Sequence, residues 1–258
     1  ATRIDLAVNY TSNLQFSGYE YFRSAERIYP HAQYNTDTKE NDIALLVLNT
    51  PVSLVEPALY QPQNMLLPLP PATPVTVMGF GTTNYGGLLS DELRQVDIQI
   101  IDHNDCNDAN SYNGEVYDST MICAGSTTGG QDSCGGDSGG PLIVREDTGS
   151  AHNGAVVVVL VGISSFGTGC GLVDYPGVYT RVSAYAEWIS LGICDFARTK
   201  PLSCFATPTI TTASSRKSPA ALDSWFSLRT TTTTTTTSAI GVGVGVVQDE
   251  TLRGEDNE

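Results

Sequence analysis

Asp132-Ser133-Cys134-Gly135-Gly136-Asp137-Ser138-Gly139-Gly140-Pro141-Leu142 decides how this 258-residue chain is read. Glycines on both sides of a serine let the backbone turn sharply and pass close to a ligand, because they lack the Cβ that restricts other residues. They also let successive N–H groups point into one concavity, which is what holding an oxyanion requires. Taken alone, Gly-Asp-Ser-Gly is equally an ordinary turn between strands, so the flanking sequence has to choose.

Outward from that stretch, short β-rich runs alternate with turn residues as far as about Leu191. Ile43-Ala44-Leu45-Leu46-Val47-Leu48, Val75-Thr76-Val77-Met78-Gly79 and the runs 93–101 and 156–163 are examples, separated by Asn-Thr-Pro, Pro-Pro and Asn-Tyr-Gly-Gly clusters. Strands of this spacing with almost no helical period predict a barrel or sandwich. One helix is expected near the end of the region, with Val182, Tyr185, Ala186, Trp188 and Ile189 on its apolar face and Ser183 near its start. Beyond Cys194 the composition changes to Pro, Ser and Thr, and Thr230 opens an unbroken threonine tract. Such a segment buries too little apolar surface to offset its ordering entropy, so 195–258 is expected to be a disordered tail. A stalk with an adhesive role is the other reading of it, and Trp225-Phe226 could be a short binding motif within it.

The net charge of −15 excludes nucleic acid as a partner, because little here could neutralise phosphates. Cys106, Cys123, Cys134, Cys170, Cys194 and Cys204 are even in number and contain no close C-x-x-C pair, which favours disulfides in an oxidising compartment. Asn9-Tyr10-Thr11 is an N-glycosylation acceptor consistent with secretion. No apolar run approaches the roughly 20 residues needed to span a bilayer; residues 239–247 are too few and are interrupted by glycines. The chain starts at Ala1 with no signal peptide, and a fragment of a longer secreted protein is expected.

The joint pattern resembles the chymotrypsin/trypsin family of serine endopeptidases. Gly-Asp-Ser-Gly-Gly-Pro is similar to its nucleophile motif, and Asn41-Asp42-Ile43-Ala44-Leu45-Leu46 to the segment carrying its buried aspartate. Met121-Ile122-Cys123-Ala124-Gly125, Ser165-Phe166-Gly167, Gly169-Cys170 and Pro176-Gly177-Val178-Tyr179-Thr180 follow in the family's order. The likeness covers about residues 3–191. It implies an all-β fold, a double Greek-key β-barrel whose first barrel is incomplete at its N-terminus, with a C-terminal helix and the disordered tail. The protease domain would be 1–194.

By the resemblance, Ser138 is the nucleophile, Asp42 orients a histidine, and the N–H groups of Gly136 and Ser138 form the oxyanion hole. Asp132 is the floor of the primary specificity pocket, with Ser165, Gly167 and Gly177 along the substrate slot. A buried carboxylate there needs a cation to meet it, so Arg or Lys is the expected residue before the cleaved bond. Asp137 is implied to pair with an α-amino group released on zymogen cleavage. The implied disulfides are Cys106–Cys123 and Cys134–Cys170. Cys194 and Cys204 are left over, to pair with each other or with a cysteine elsewhere. Protein or peptide substrates and protein inhibitors are the implied partners.

The sequence departs from the family at the base. His31, His103 and His152 all stand where surface histidines are expected, and none is assigned a catalytic role. The family places its histidine just before a strand resembling Arg3-Ile4-Asp5-Leu6, that is, ahead of Ala1. The chain alone should therefore be essentially inactive, since losing the triad histidine costs on the order of 10⁶ in turnover. Missing opening strands should also leave aggregation-prone edges. Phe166 replaces the tryptophan common at its position. Residues 8–19 offer no carboxylates suited to a calcium loop, and no metal or cofactor is implied. Two other functions remain open: a non-catalytic homologue that binds or regulates, and a surface protein acting through its Thr-rich tail.

Overall fold

The computed structural model describes residues 3–6, 21–50, 58–60, 69–147, 156–196, 204 and 242–245. Asn9, residues 8–19, His152, the threonine tract and Trp225-Phe226 lie outside them. The strands are β1 (Arg3–Leu6), β2 (Tyr21–Pro30), β3 (Ala44–Leu48), β4 (Leu59–Tyr60), β5 (Pro74–Gly79), β6 (Arg94–Ile101), β7 (Met121–Gly125), β8 (Pro141–Asp147), β9 (Val156–Phe166), β10 (Gly177–Arg181) and β11 (Val242–Gly245). A four-residue helix, α1 (His103–Cys106), precedes β7, and α2 (Ala186–Phe196) follows β10.

Strands β10-β7-β6-β5-β8-β9 hydrogen-bond in that order, and β10 pairs again with β9, closing a six-stranded barrel. Its core shows why the chain closes this way. Val75 and Val77, Ile98 and Ile100, Ile122 and Ala124, and Val159 and Val161 are buried together with Leu142 and Tyr179. Within each of these pairs the residues are two apart, so each strand turns one face inward, as barrel strands must. The other sheet runs β1-β2-β3-β11. A second core joins this sheet to the barrel: Ile43 and Leu45 pack with Ile163, Val182, Tyr185 and Ile189. The catalytic candidates lie at this seam.

The helix expected near residue 185 is present but begins differently. Val182–Tyr185 form a 3₁₀ turn that leads into α2, and Ser183 does not cap it: its Oγ is buried with no hydrogen-bond partner. Of the five apolar residues named for its face, Val182, Tyr185, Ala186 and Ile189 are buried and Trp188 is half-buried. Val242–Gly245, within the stretch read as a disordered tail, form strand β11 against β3. Alternating valine and glycine gives this piece a period of two and β-branched residues, which the threonine tract's context lacks.

All three disulfides are formed: Cys106–Cys123, Cys134–Cys170 and Cys194–Cys204. The last resolves the open pairing and ties residue 204 to α2. Each closes a loop and contributes roughly 2–4 kcal/mol by restricting the unfolded chain.

Candidate active site

Near its end strand β9 carries Ser164 and Ser165, and these consecutive residues hold both halves of the candidate site. Ser164 exchanges backbone hydrogen bonds with the nucleophile loop: Gly139 N–H donates to Ser164 O at 2.8 Å, and Ser164 N–H to Gly140 O at 2.9 Å. Ser165 Oγ donates to Asp42 Oδ2 at 2.6 Å. Asp42 is 5% exposed, and its backbone oxygen accepts from Thr180 Oγ1 at 2.7 Å. Burial pushes its carboxyl above the ordinary aspartate value, an effect that the Ser165 hydrogen bond and the Lys39 charge oppose. The sequence placed Ser165 along the substrate slot; its hydroxyl is turned to the aspartate. A polar residue one strand position from the nucleophile's anchor was the available signal.

Ser138 is exposed, and its hydroxyl has no partner among the described residues. The loop around it is laced down on the other side. Asp137 Oδ1 accepts from Gly81 N–H at 2.8 Å and Oδ2 from Cys134 N–H at 2.9 Å, while Thr82 N–H donates to Gly135 O at 2.8 Å. Within this loop the N–H groups of Gly136 and Ser138 donate to nothing among the described residues. They are the free donors an oxyanion would use. Gly136 has φ +97°, a left-handed conformation, and a Cβ there would stand 2.5 Å from Leu89 Cδ2. Both the turn and the close approach require glycine.

Asp137 fills the space beside Gly79, where any Cβ would run into its Oδ1. Gly79→Ala should therefore push Asp137 off Gly81 and Cys134 and unseat Gly136. A loss in kcat/KM of about 10² or more is expected, comparable to removing one oxyanion donor. Steady-state kinetics of the variant, with its melting temperature as a control for folding, checks this.

Asp132 accepts from Ser133 N–H at 2.8 Å and Gly171 N–H at 3.0 Å. Burial raises its pKa; N–H donors from Gly171, Ser133 and Gly177 pull it back, and the Asp137 charge adds to the rise. It forms no ion pair among the described residues. A Cβ on Gly177 would stand 2.8 Å from Asp132 Oδ1, and one on Gly167 would lie 3.9 Å from Gly177 Cα. Asp132, Gly177 and Gly167, expected as the floor and walls of a slot, thus lie together. Tyr112 stands behind the wall: its OH donates to Pro176 O at 2.8 Å, accepts from Thr168 N–H at 3.2 Å, and is pushed up to about 12 by burial. Nothing in its local sequence marked it. A cavity of about 400 Å³ reaches both Asp132 and Asp137, lined in part also by Thr82, Tyr85, Arg94 and Gln131.

No described histidine serves this site. His31, expected at the surface, is partly covered: its ring lies 5.1 Å from Trp188 and 5.4 Å from Tyr185, and burial lowers its pKa. The aromatic residues of α2 and the turn before it reach back over it, a contact local sequence does not announce. His103 Nδ1 is 3.9 Å from Asp118 Oδ1. Among the described residues no group of three or more His, Cys, Asp or Glu could hold a metal ion.

The family model described as Trypsin matches residues 4–189. The chain is 38% identical over 165 residues to trypsin eta of Drosophila melanogaster, covering 64% of this chain and 58% of that protein. It is 38% identical over 192 residues to trypsin-1 of Astacus astacus, covering 73% and 72%. With transmembrane protease serine 11G of Mus musculus the identity is 37% over 172 residues, 65% of this chain and 38% of that protein. The closed barrel, the seam and the Gly-Asp-Ser-Gly loop define a trypsin-like serine protease fold. The chain belongs to the trypsin family, and it spans under three-fifths of the length of trypsin eta.

Proposed function

We propose that the complete protein is a secreted serine endopeptidase that cleaves after Arg or Lys, with an imidazole from outside these 258 residues as its base. The observation that carries this is the anchoring of Asp42 on Ser165 and of the loop residues just after Ser138, Gly139 and Gly140, on Ser164. Ser138 Oγ attacks the scissile carbonyl carbon while the imidazole takes its proton, and Asp42 stabilises the resulting imidazolium. The tetrahedral oxyanion is held by the N–H groups of Gly136 and Ser138. Collapse breaks the C–N bond, and the imidazole returns the proton to the leaving amine. Water then repeats the sequence on the acyl-enzyme. Asp132, unpaired and flanked by Gly167 and Gly177, receives the guanidinium or ammonium of the substrate. The cavity beside Asp137 is suited to a chain terminus whose α-amino group would pair with that carboxylate. The three disulfides support an oxidising, extracellular setting, and no helix among the described residues is long and apolar enough to cross a membrane.

The test is to treat the full-length protein with a fluorophosphonate and to assay peptides with Arg, Lys, Leu or Glu before the scissile bond. Labelling of Ser138 and cleavage confined to the Arg and Lys peptides are expected. An unlabelled, inactive full-length protein would leave the binding-protein reading.

Binding of a cation at Asp132 should depend on pH in a defined direction. Its folded pKa lies above 3.8, so the folded state holds the proton more tightly than the unfolded chain. Asp132 therefore detracts from stability increasingly as pH rises from the unfolded value through the folded one. A bound benzamidinium relieves that penalty only when the carboxylate is ionised. Its affinity, and the rise in melting temperature it causes, should fall as pH drops through the Asp132 pKa, with a midpoint above 3.8. Calorimetric titration between acid and neutral pH checks it.

A further inference from the structure

The end of β6, α1, the loop 107–111 and residues 173–176 border a cavity of about 220 Å³. Its wall includes the carboxylates of Asp105, Asp108 and Asp174, together with Asn110, Ser111 and Val173. Neither Asp132 nor Ser138 lines it, so it is separate from the specificity slot and the nucleophile. We propose that this cavity is a docking site for a polypeptide partner, taking an arginine side chain that has an apolar residue beside it.

The walls are firmly built. Cys106 is fully buried and bonded to Cys123, which fixes α1 to β7. Asn107 closes the loop that follows: its Oδ1 accepts from Gly114 N–H at 2.9 Å and Val116 N–H at 3.0 Å, and its Nδ2 donates to Val116 O at 2.9 Å. Asp108 tightens the turn within it, accepting from Asn110 N–H through Oδ1 at 2.8 Å and from the N–H groups of Ser111 and Asn113 through its backbone oxygen. The Tyr112 OH bond to Pro176 O ties this loop to the opposite wall. The core beneath, formed by Cys106, Tyr112, Val116, Met121, Cys123 and Val178, draws on no residue of β1, β2 or β3. The cavity therefore rests on the closed barrel and does not depend on what completes the other sheet.

Charge and an orphaned hydroxyl give the ligand its chemistry. Among the described residues no Lys, Arg or His pairs with Asp105, Asp108 or Asp174, so the cavity's negative charge is unbalanced. Ser111 is 8% exposed and its Oγ has no hydrogen-bond partner, a cost that a donor entering the cavity relieves. The carboxylates are not grouped for a metal: no three or more His, Cys, Asp or Glu among the described residues could hold one. A guanidinium suits them better, since its planar fork offers five N–H donors to acceptors that stand apart. Val173 is 57% exposed, and Leu172, next to it in the chain, is 48% exposed. They give the residue beside that arginine an apolar seat, which favours a polypeptide over a small polyamine.

The test is equilibrium binding to the full-length protein carrying Asp132→Ser and Ser138→Ala, which removes the slot's carboxylate and prevents turnover. The probe is acetyl-Leu-Arg-Leu-amide, followed by titration calorimetry. Adding Asp105→Asn and Asp174→Asn together should weaken binding about tenfold, because two charge pairs are lost. Replacing the arginine by citrulline, its neutral isostere, should do the same, and binding should weaken as salt is raised. Ser111→Ala should weaken binding severalfold without lowering the melting temperature, since the hydroxyl it removes is unpaired in the free protein. Binding that is undetectable at millimolar peptide, or equal with citrulline or in the Asp105→Asn, Asp174→Asn protein, overturns the proposal. Spermidine binding as tightly as the peptide also overturns it, by marking a small-polyamine site. None of these readouts involves catalysis, so a failure here leaves the peptidase reading standing.

Discussion

Ser138→Ala in the full-length protein is expected to lower kcat on an arginyl peptide by on the order of 10⁶, the loss typical of serine-protease triads, with KM changed little. The serine hydroxyl is exposed and bonded to nothing among the described residues, so its removal breaks no contact that the fold needs. The melting temperature should stay within about 1 °C of the wild type, since surface substitutions that disturb no such contact are nearly neutral. Stability unchanged and activity abolished separates a nucleophile from a structural turn residue. Residual hydrolysis well above the uncatalysed rate should persist, because the N–H groups of Gly136 and Ser138 and the Asp132 slot remain to bind the transition state. A variant that still cleaves within tenfold of the wild-type rate would remove Ser138 from the chemistry and with it the proposed mechanism.

What the sequence disclosed about this molecule is divided by range. The barrel strands were legible because their signal is local: Val75 and Val77, or Val159 and Val161, repeat every second residue, and turns of Gly, Pro and Asn punctuate them. The nucleophile loop was legible because its glycines are dictated by its own backbone, as the φ of Gly136 shows. Contacts made across the fold left little trace. Ser165 is one serine among several in its strand until β9 places it 2.6 Å from a carboxylate 123 residues earlier. Tyr112 meets Pro176 and Thr168 only across the fold. Strand β11 was hidden by its surroundings, since composition averaged over 195–258 says tail while four residues of Val and Gly pair with β3. The partial covering of His31 likewise needed residues from the far end of the domain.

Asp132→Ser should cost roughly 10²–10⁴ in kcat/KM for peptides with Arg or Lys before the cleaved bond, corresponding to about 3–5 kcal/mol for removing one partner of a buried ion pair. Peptides with an apolar residue at that position should lose little or improve, so the ratio between the two substrate classes reports on Asp132 independently of general damage. The geometry also predicts that Asp132→Glu does not rescue. A Cβ on Gly177 would already stand 2.8 Å from Asp132 Oδ1, so a longer acid has no room without moving that wall or losing the N–H groups of Ser133 and Gly171. Ser133 is a neighbouring side chain that could partly compensate. Its Oγ accepts from Tyr179 OH at 2.9 Å and retains its own proton to donate. A hydroxyl of that kind satisfies a substrate ammonium or guanidinium weakly, because it supplies a dipole where the slot had supplied a full charge. Preference for basic substrates should therefore shrink without inverting fully, and Asp132→Ser with Ser133→Ala should lose what remains of it. Unchanged selectivity in the single variant would place the cation site elsewhere.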